Sequence, residues 1–244
     1  MARHSHWAQI KLKKGAADVK RGKIFTKHAR LIELAARQGG GDENMNPSLR
    51  LAIENARADN MPRENIDRAV KKGSGELKEG EQLHEVTYEG FAPGGVALLI
   101  ETLTDNKNRT NQTVRMILIK HGGTLGAMGS TSFLFERKGV LTVKKKGDHD
   151  SDELEMIDAG AQDIEEGPEG NFFVYTAANQ LAEVKKKLEA KGFVVESAKL
   201  SSIPKNFVEV NDEATAKKVI DLLELLDDED DVSNVAANFS ITAS

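Results

Sequence analysis

The cationic side chains of this sequence are densest at one end. Arg3, Lys11, Lys13, Lys14, Lys20, Arg21, Lys23, Lys27 and Arg30 fall within the first 30 residues, and Arg63, Arg68, Lys71 and Lys72 follow on a later helical stretch. Ammonium and guanidinium groups in such numbers neutralise phosphates and release condensed counterions, an attraction that needs no contact with base edges. Trp7 lies inside the basic run and outside any apolar period. It can stack on an unpaired base or anchor the segment on a helical bundle, and the sequence leaves both open. The formal net charge of −5 conceals an asymmetry. Residues 1–72 hold 16 Lys and Arg against 8 Asp and Glu, a net of +8, and residues 73–244 hold 18 against 31, a net of −13. Solvated faces normally mix signs, whereas the first 37 residues carry 10 basic and 2 acidic side chains. The partner this pattern indicates is a polyanion, DNA or RNA.

Other chemistries find less support. With no cysteine, the chain has no disulfide, thiolate nucleophile or zinc–thiolate site, which suits a reducing cytoplasm. Six histidines are scattered without the HExxH spacing of a metalloprotease, so no metal ligand, catalytic residue or cofactor site is assigned. Gln38-Gly39-Gly40-Gly41-Asp42 follows a helix and lacks the GxxxxGK[ST] pattern, so it reads as a flexible helix connection instead of a phosphate cradle. Asp227-Asp228-Glu229-Asp230-Asp231 lacks EF-hand spacing and reads as a solvated acidic loop. Asn106-Lys107-Asn108-Arg109-Thr110 is a polar patch at a helix start, an anion site or simply a capped turn. An enzyme, with Asp105 and the 227–231 carboxylates in a cleft between domains, and a protein-binding adaptor are the alternatives from other classes. No apolar stretch reaches the ~20 residues of a membrane span, and the first residues do not resemble an export signal, so a cytoplasmic protein without a membrane partner is expected.

The elements that would position these groups can be read from periodicity. Residues 23–38 carry apolar groups at helical spacing and stop at the triple glycine. Asn46-Pro47 opens a second helix to about Asn60, and Met61-Pro62 a third to Lys72. Strands are predicted at 83–90 and 95–104, a helix from Thr110 as cap to Lys120, and a strand at 131–136. Residues 139–200 then run strand, helix (151–159), strand (162–165), strand (171–176), helix (178–191), strand (193–199), the ferredoxin-like order. Strand 206–210, helix 212–226 and strand 232–241 complete a second unit with similar order around it. The fold class expected is multidomain α+β: an N-terminal three-helix domain with its basic arm (1–75), then two ferredoxin-like α/β domains, one (138–204) inserted in the other (82–137 plus 205–244).

Three stretches carry a resemblance to a known family: HSHWAQIKLKKGAADVKRGKIFTK, AARQGGGDENMNPSLRLAIENARADNMPRENIDRAVKKG, and YEGFAPGGVALLIETLTDNKNRT with the KHGGTLG and FLFERKG segments after it. Together they closely resemble the YebC/PmpR family, which includes a mitochondrial translational activator of cytochrome c oxidase. The likeness runs nearly end to end and is strongest over residues 2–139. It departs at His6, where lysine is usual, and at Gln9, Gly15 and Met128. The resemblance implies three domains. It also implies regulation of gene expression, described for members either as DNA-binding transcriptional regulation or as association with the ribosome to relieve stalls at proline runs. A basic helical module fits either, though no helix-turn-helix spacing is evident and a glycine-punctuated basic arm suits folded RNA better. Monomeric binding to DNA or ribosomal RNA, through the basic residues named above, is the expectation.

Overall fold

The computed structural model describes residues 18–77, 82–167 and 170–241, with side chains from Gly22 onward. It divides into two compact units. Of the described residues, one comprises 18–31, 82–136 and 202–241; the other comprises 32–77, 137–167 and 170–201. The expected fold class is present: N-terminal helices precede two α/β assemblies, the second built from a segment inserted in the first.

In the first unit, β1 (His84–Ala92) and β2 (Val96–Thr104) form an antiparallel hairpin closed by Ala92 opposite Val96. The turn between them, Pro93-Gly94-Gly95, needs positive φ at both glycines (+79° and +75°), which a Cβ would oppose. The helix α4 (Lys107–Lys120) follows, then the short β3 (Thr124–Leu125), and after the insert β8 (Val208–Val210), α7 (Glu213–Asp227), β9 (Val232–Ala237) and β10 (Phe239–Ile241). The sheet order is β3-β1-β2-β9. Val96, Leu98 and Ile100 on one face of β2 meet Val114 and Leu118 of α4 and Val219, Leu222, Leu223 and Leu226 of α7. Ala97 and Leu99 on the other face pack with Phe135 and Ala236. Burial on both faces explains why Val96–Leu99 is a continuous apolar run instead of an alternating one.

Two strand assignments change. The strand expected at 131–136 is a 3-10 turn over Ser132–Leu134, with strand structure beginning only at Phe135. The amide groups of Thr131 and Ser132 are taken by the Glu89 carboxylate, so they are lost to any strand partner. The strand expected at 232–241 is broken at Asn238, whose buried side-chain oxygen accepts from Ala97 N at 2.6 Å. Beyond the break β10 leaves the main sheet and pairs in parallel with β8.

In the second unit, β4 (Phe135–Lys144), α5 (His149–Ala159), β5 (Asp163–Glu166), β6 (Asn171–Ala177), α6 (Leu181–Ala190) and β7 (Val195–Pro204) give the sheet order β5-β6-β4-β7. Numbered within the insert this is 2-3-1-4, the ferredoxin-like arrangement read from the sequence. Leu141, Val143, Phe172 and Val174 face Met156, Leu181, Val184 and Leu188. The same unit holds the last part of α1 (Asp18–Gly39), from Ile32 onward, with α2 (Pro47–Ala58) and α3 (Arg63–Gly73). Ile32 and Leu49 are fully buried there. Asn55 of α2 covers the edge strand β7, donating to Ala198 O at 2.7 Å and accepting from Ala198 N at 3.3 Å.

The triple glycine is not a loose connection. Asn46, 4% exposed, accepts from Leu49 N and donates to the carbonyls of Ala35 and Gly40, tying the end of α1 to the start of α2. A Cβ on Gly39 would lie 2.6 Å from Asn46 Nδ2, and Gly40 has φ +87°. Tight packing and a left-handed turn, more than flexibility, account for these glycines. Among the described residues no helix is long and apolar enough to cross a membrane.

Candidate nucleic-acid interface

Lys23, Lys27 and Arg30 recur at i, i+4 and i+7 on α1 and therefore share a face. That face meets the end of α7 and the acidic run after it. Lys23 Nζ donates to the Asp228 carbonyl at 2.9 Å. Lys27 donates to the Asp227 carbonyl and lies 3.8 Å from the Asp227 carboxylate. Asp228 is the C-cap of α7, so both ammonium groups sit where the last helical carbonyls lack intrahelical donors and the dipole favours cations. Arg30 Nη1 reaches Asp231 Oδ1 at 2.7 Å and the carbonyls of Asp230 and Leu103 at 2.5 and 3.3 Å.

Asp231 is the hub of this cluster. Its Oδ2 accepts from Thr110 Oγ1 at 2.6 Å, Arg109 Nη2 at 2.9 Å and Thr104 Oγ1 at 3.2 Å. Burial pushes the Asp231 carboxyl up, but the hydrogen bonds from Thr110, Arg109 and Arg30 outweigh it and hold the group below the usual carboxylate range. The acidic run expected to be a solvated loop is thus the receptor for a helix face, because its carboxylates and carbonyls meet cations from α1 and α4. Asp105 also pairs with Arg109, at 2.6 Å. No group of three or more His, Asp or Glu among the described residues is arranged to hold a metal ion. The patch at 106–110 is a capped turn: Asn106, not Thr110, accepts from Arg109 N as N-cap, and Thr110 is buried.

The other expected contacts belong to the second unit. Lys72 pairs with Glu33 at 2.9 Å, and Glu33, only 3% exposed, also takes Arg37 at 2.7 Å. Gly73 permits this close approach, since a Cβ there would fall onto the Glu33 carbonyl. Arg63 is nearly fully exposed, with Asp67 3.7 Å away. Arg68 and Lys71 are exposed and have no carboxylate partner among the described residues. Arg3, Trp7, Lys11, Lys13 and Lys14 lie outside the described residues, as do the side chains of Lys20 and Arg21 on α1.

Sequence reading missed one constellation, around Glu89 of β1. This buried carboxylate accepts from Gly129 N at 2.7 Å, Thr131 N at 2.6 Å, Ser132 N at 2.7 Å and Thr131 Oγ1 at 3.2 Å. Burial raises its pKa, but these hydrogen bonds together bring it down to about 2. The only available signal was the Gly126–Ser132 run, small or polar apart from Met128, whose backbone N–H groups have no obvious strand partner.

The chain is similar to known proteins over its whole length. A model of the TACO1/YebC protein N-terminal domain matches residues 5–76, and one of the TACO1/YebC second and third domain matches residues 83–239. A relative from Aquifex aeolicus, called a probable transcriptional regulatory protein, is 52% identical over 242 residues, covering 99% of this chain and 96% of that one. A Thermotoga maritima protein of the same name is 52% identical over 243 residues, covering 99% and 94%. The crystal structure of a conserved hypothetical protein from Aquifex aeolicus superposes with a TM-score of 0.91 at 50% identity, covering 98% of each chain. With both family models matched in order and half the residues shared with full-length relatives, this chain belongs to the TACO1/YebC family.

Proposed function

We propose that the chain is a nucleic-acid-binding regulator of gene expression that acts by binding, without a cofactor, as a cytoplasmic monomer. The observation that carries this reading is the segregation of charge, +8 over residues 1–72 against −13 over the rest. Relatives named as probable transcriptional regulatory proteins support a regulatory role. Ribosomal RNA is favoured over operator DNA because α2 and α3 show no helix-turn-helix spacing and a glycine-punctuated basic arm suits folded RNA better. Arg3, Trp7, Lys11, Lys13, Lys14, Lys20, Arg21, Lys23, Arg63 and Lys71 are assigned to the nucleic acid. Lys27, Arg30 and Lys72 sit against acceptors within the protein, and their part is to hold the helices that present the others. In this reading residues 1–75 form the binding domain, and 82–137 plus 205–244, with 138–204 inserted, form its carriers.

Sedimentation of lysate with and without nuclease, followed by ultraviolet crosslinking, tests the proposal. Ribosomal RNA crosslinks from the Lys11–Lys27 segment are expected; crosslinks to promoter DNA alone would overturn the preference for RNA. Unchanged binding by the Lys13→Ala/Lys14→Ala/Lys20→Ala/Arg21→Ala variant would overturn the placement of binding in the arm.

A further inference from the structure

The segment Gly126–Phe133 is a loop with a rigid base and an apolar tip. Its base is the Glu89 cluster, in which one buried carboxylate receives three backbone amides and a hydroxyl. The single Thr131 hydroxyl proton is shared with Leu98 O at 2.9 Å, and Gly126 N donates to Glu89 O at 2.8 Å, so both ends of the loop are fastened to the sheet. On this base stand Met128, 97% exposed, and Phe133, 64% exposed. Phe133 is the one aromatic among the large apolar side chains exposed in the described residues. Lys205 lies beside it: its Nζ donates to Phe133 O at 3.0 Å and its backbone N to Leu134 O at 2.8 Å. A carbonyl partner leaves the ammonium charge uncompensated, and Lys205 has no carboxylate within ion-pair distance among the described residues. An exposed ring on a pinned backbone, with an uncompensated cation bonded to the carbonyl of the same residue, offers a π-face and a phosphate contact on one stretch of surface. An unpaired nucleotide has complementary features, a planar base and an adjoining phosphate.

We propose that Phe133, with Lys205 bonded to its carbonyl, is a second nucleic-acid contact, taking one unpaired base on the ring and its phosphate on the ammonium. This rests on the nucleic-acid-binding reading above and adds to it a preference for single-stranded over duplex segments. The fixed loop makes the contact inexpensive in entropy, since little of it must be ordered on binding.

Fluorescence titration tests it, using a single-stranded RNA dodecamer with a central 2-aminopurine and the same strand annealed to its complement. The wild-type protein should quench the single strand. Phe133→Ala should lose the quenching and weaken single-strand binding roughly 5- to 150-fold, with duplex affinity unchanged. Phe133→Trp should restore both, and Lys205→Ala should make the single-strand salt slope shallower by about 0.7. Single-strand binding and quenching by Phe133→Ala equal to wild type, or a wild type that binds the duplex alone, would overturn the contact. The Lys11→Ala/Lys13→Ala/Lys14→Ala variant separates the two levels. If it loses both ligands while Phe133→Ala loses neither, only the second contact fails; if it binds both as wild type does, the nucleic-acid reading of the arm fails instead.

Discussion

Glu89 shows what a single buried charge requires. Its residue is 6% exposed, and an ionised carboxylate so placed costs several kcal/mol unless donors surround it. Three amides and a hydroxyl surround this one, and they bring its pKa from 4.5 to about 2 in spite of burial. A depressed folded-state pKa gives stability that is complete above the unfolded value and is lost as pH falls through the folded one. That contribution is lost between roughly pH 5 and pH 2. Glu89→Gln keeps the shape but turns an amide NH₂ toward backbone donors. It is expected to destabilise the unit by roughly 2–4 kcal/mol at neutral pH and to flatten the acid limb. Urea unfolding followed from pH 6 to pH 2 checks this, and parallel pH profiles for variant and wild type would refute it. Asn46 makes the complementary case. Aspartate is ordinarily as good an N-cap, but here the side chain must also donate to Ala35 O and Gly40 O. Asn46→Asp is therefore expected to lower thermal stability at least as much as Asn46→Ala, by about 2 kcal/mol or more; a neutral effect would mean that those two donor bonds contribute nothing.

At the scale of elements, the starts of α2 and α3 and the stop of α1 were legible because their causes are local, whereas α1 begins at Asp18 instead of Lys23 and α4 is capped by Asn106 instead of Thr110. Asn46-Pro47 and Met61-Pro62 mark α2 and α3, and the glycines after Gln38 end α1. The β-α-β-β-α-β order of the insert was legible for the same reason, each strand and helix carrying its own period. The partner of α1 was not. Lys27 and Arg30 meet residues 200 positions away, and a run of like charges carries no register that would identify the opposing run. The strand wrongly expected at 131–136 has a similar origin, since its amides are claimed by a carboxylate 42 residues earlier. The candidate site was legible in composition and not in geometry: charge alone could not separate cations available to a ligand from Lys72, which neutralises the buried Glu33. The α1 contact has a measurable consequence. Arg30 is the central cation of a partly buried cluster, whereas Lys23 is exposed and bonds one carbonyl. Arg30→Ala is expected to cost roughly 1–3 kcal/mol and Lys23→Ala under about 1 kcal/mol. Thermal melting of both variants checks the order, and equal losses would deny Asp231 its role as hub.

For the whole molecule, the opposed charges of its parts set the terms on which a polyanion is met. The acidic run is covalently tethered to the chain whose cations it contacts, so its effective concentration there is high whatever the concentration of nucleic acid. Phosphates approaching Lys23 must compete with the acidic run it already contacts, while those approaching Lys71 meet no such competitor among the described residues. Removing charge from the run without touching the hub separates competition from support. Asp227→Asn/Asp228→Asn/Asp230→Asn leaves Asp231, its four donors and all the backbone carbonyl acceptors in place. This variant is expected to bind nucleic acid several-fold more tightly at 50 mM salt, with the gain shrinking toward 200 mM as screening weakens the repulsion removed. Filter binding at the two salt concentrations measures it. Weaker binding at both would mean that the carboxylates serve chiefly to position α1; an equal gain at both would assign the effect to something other than charge.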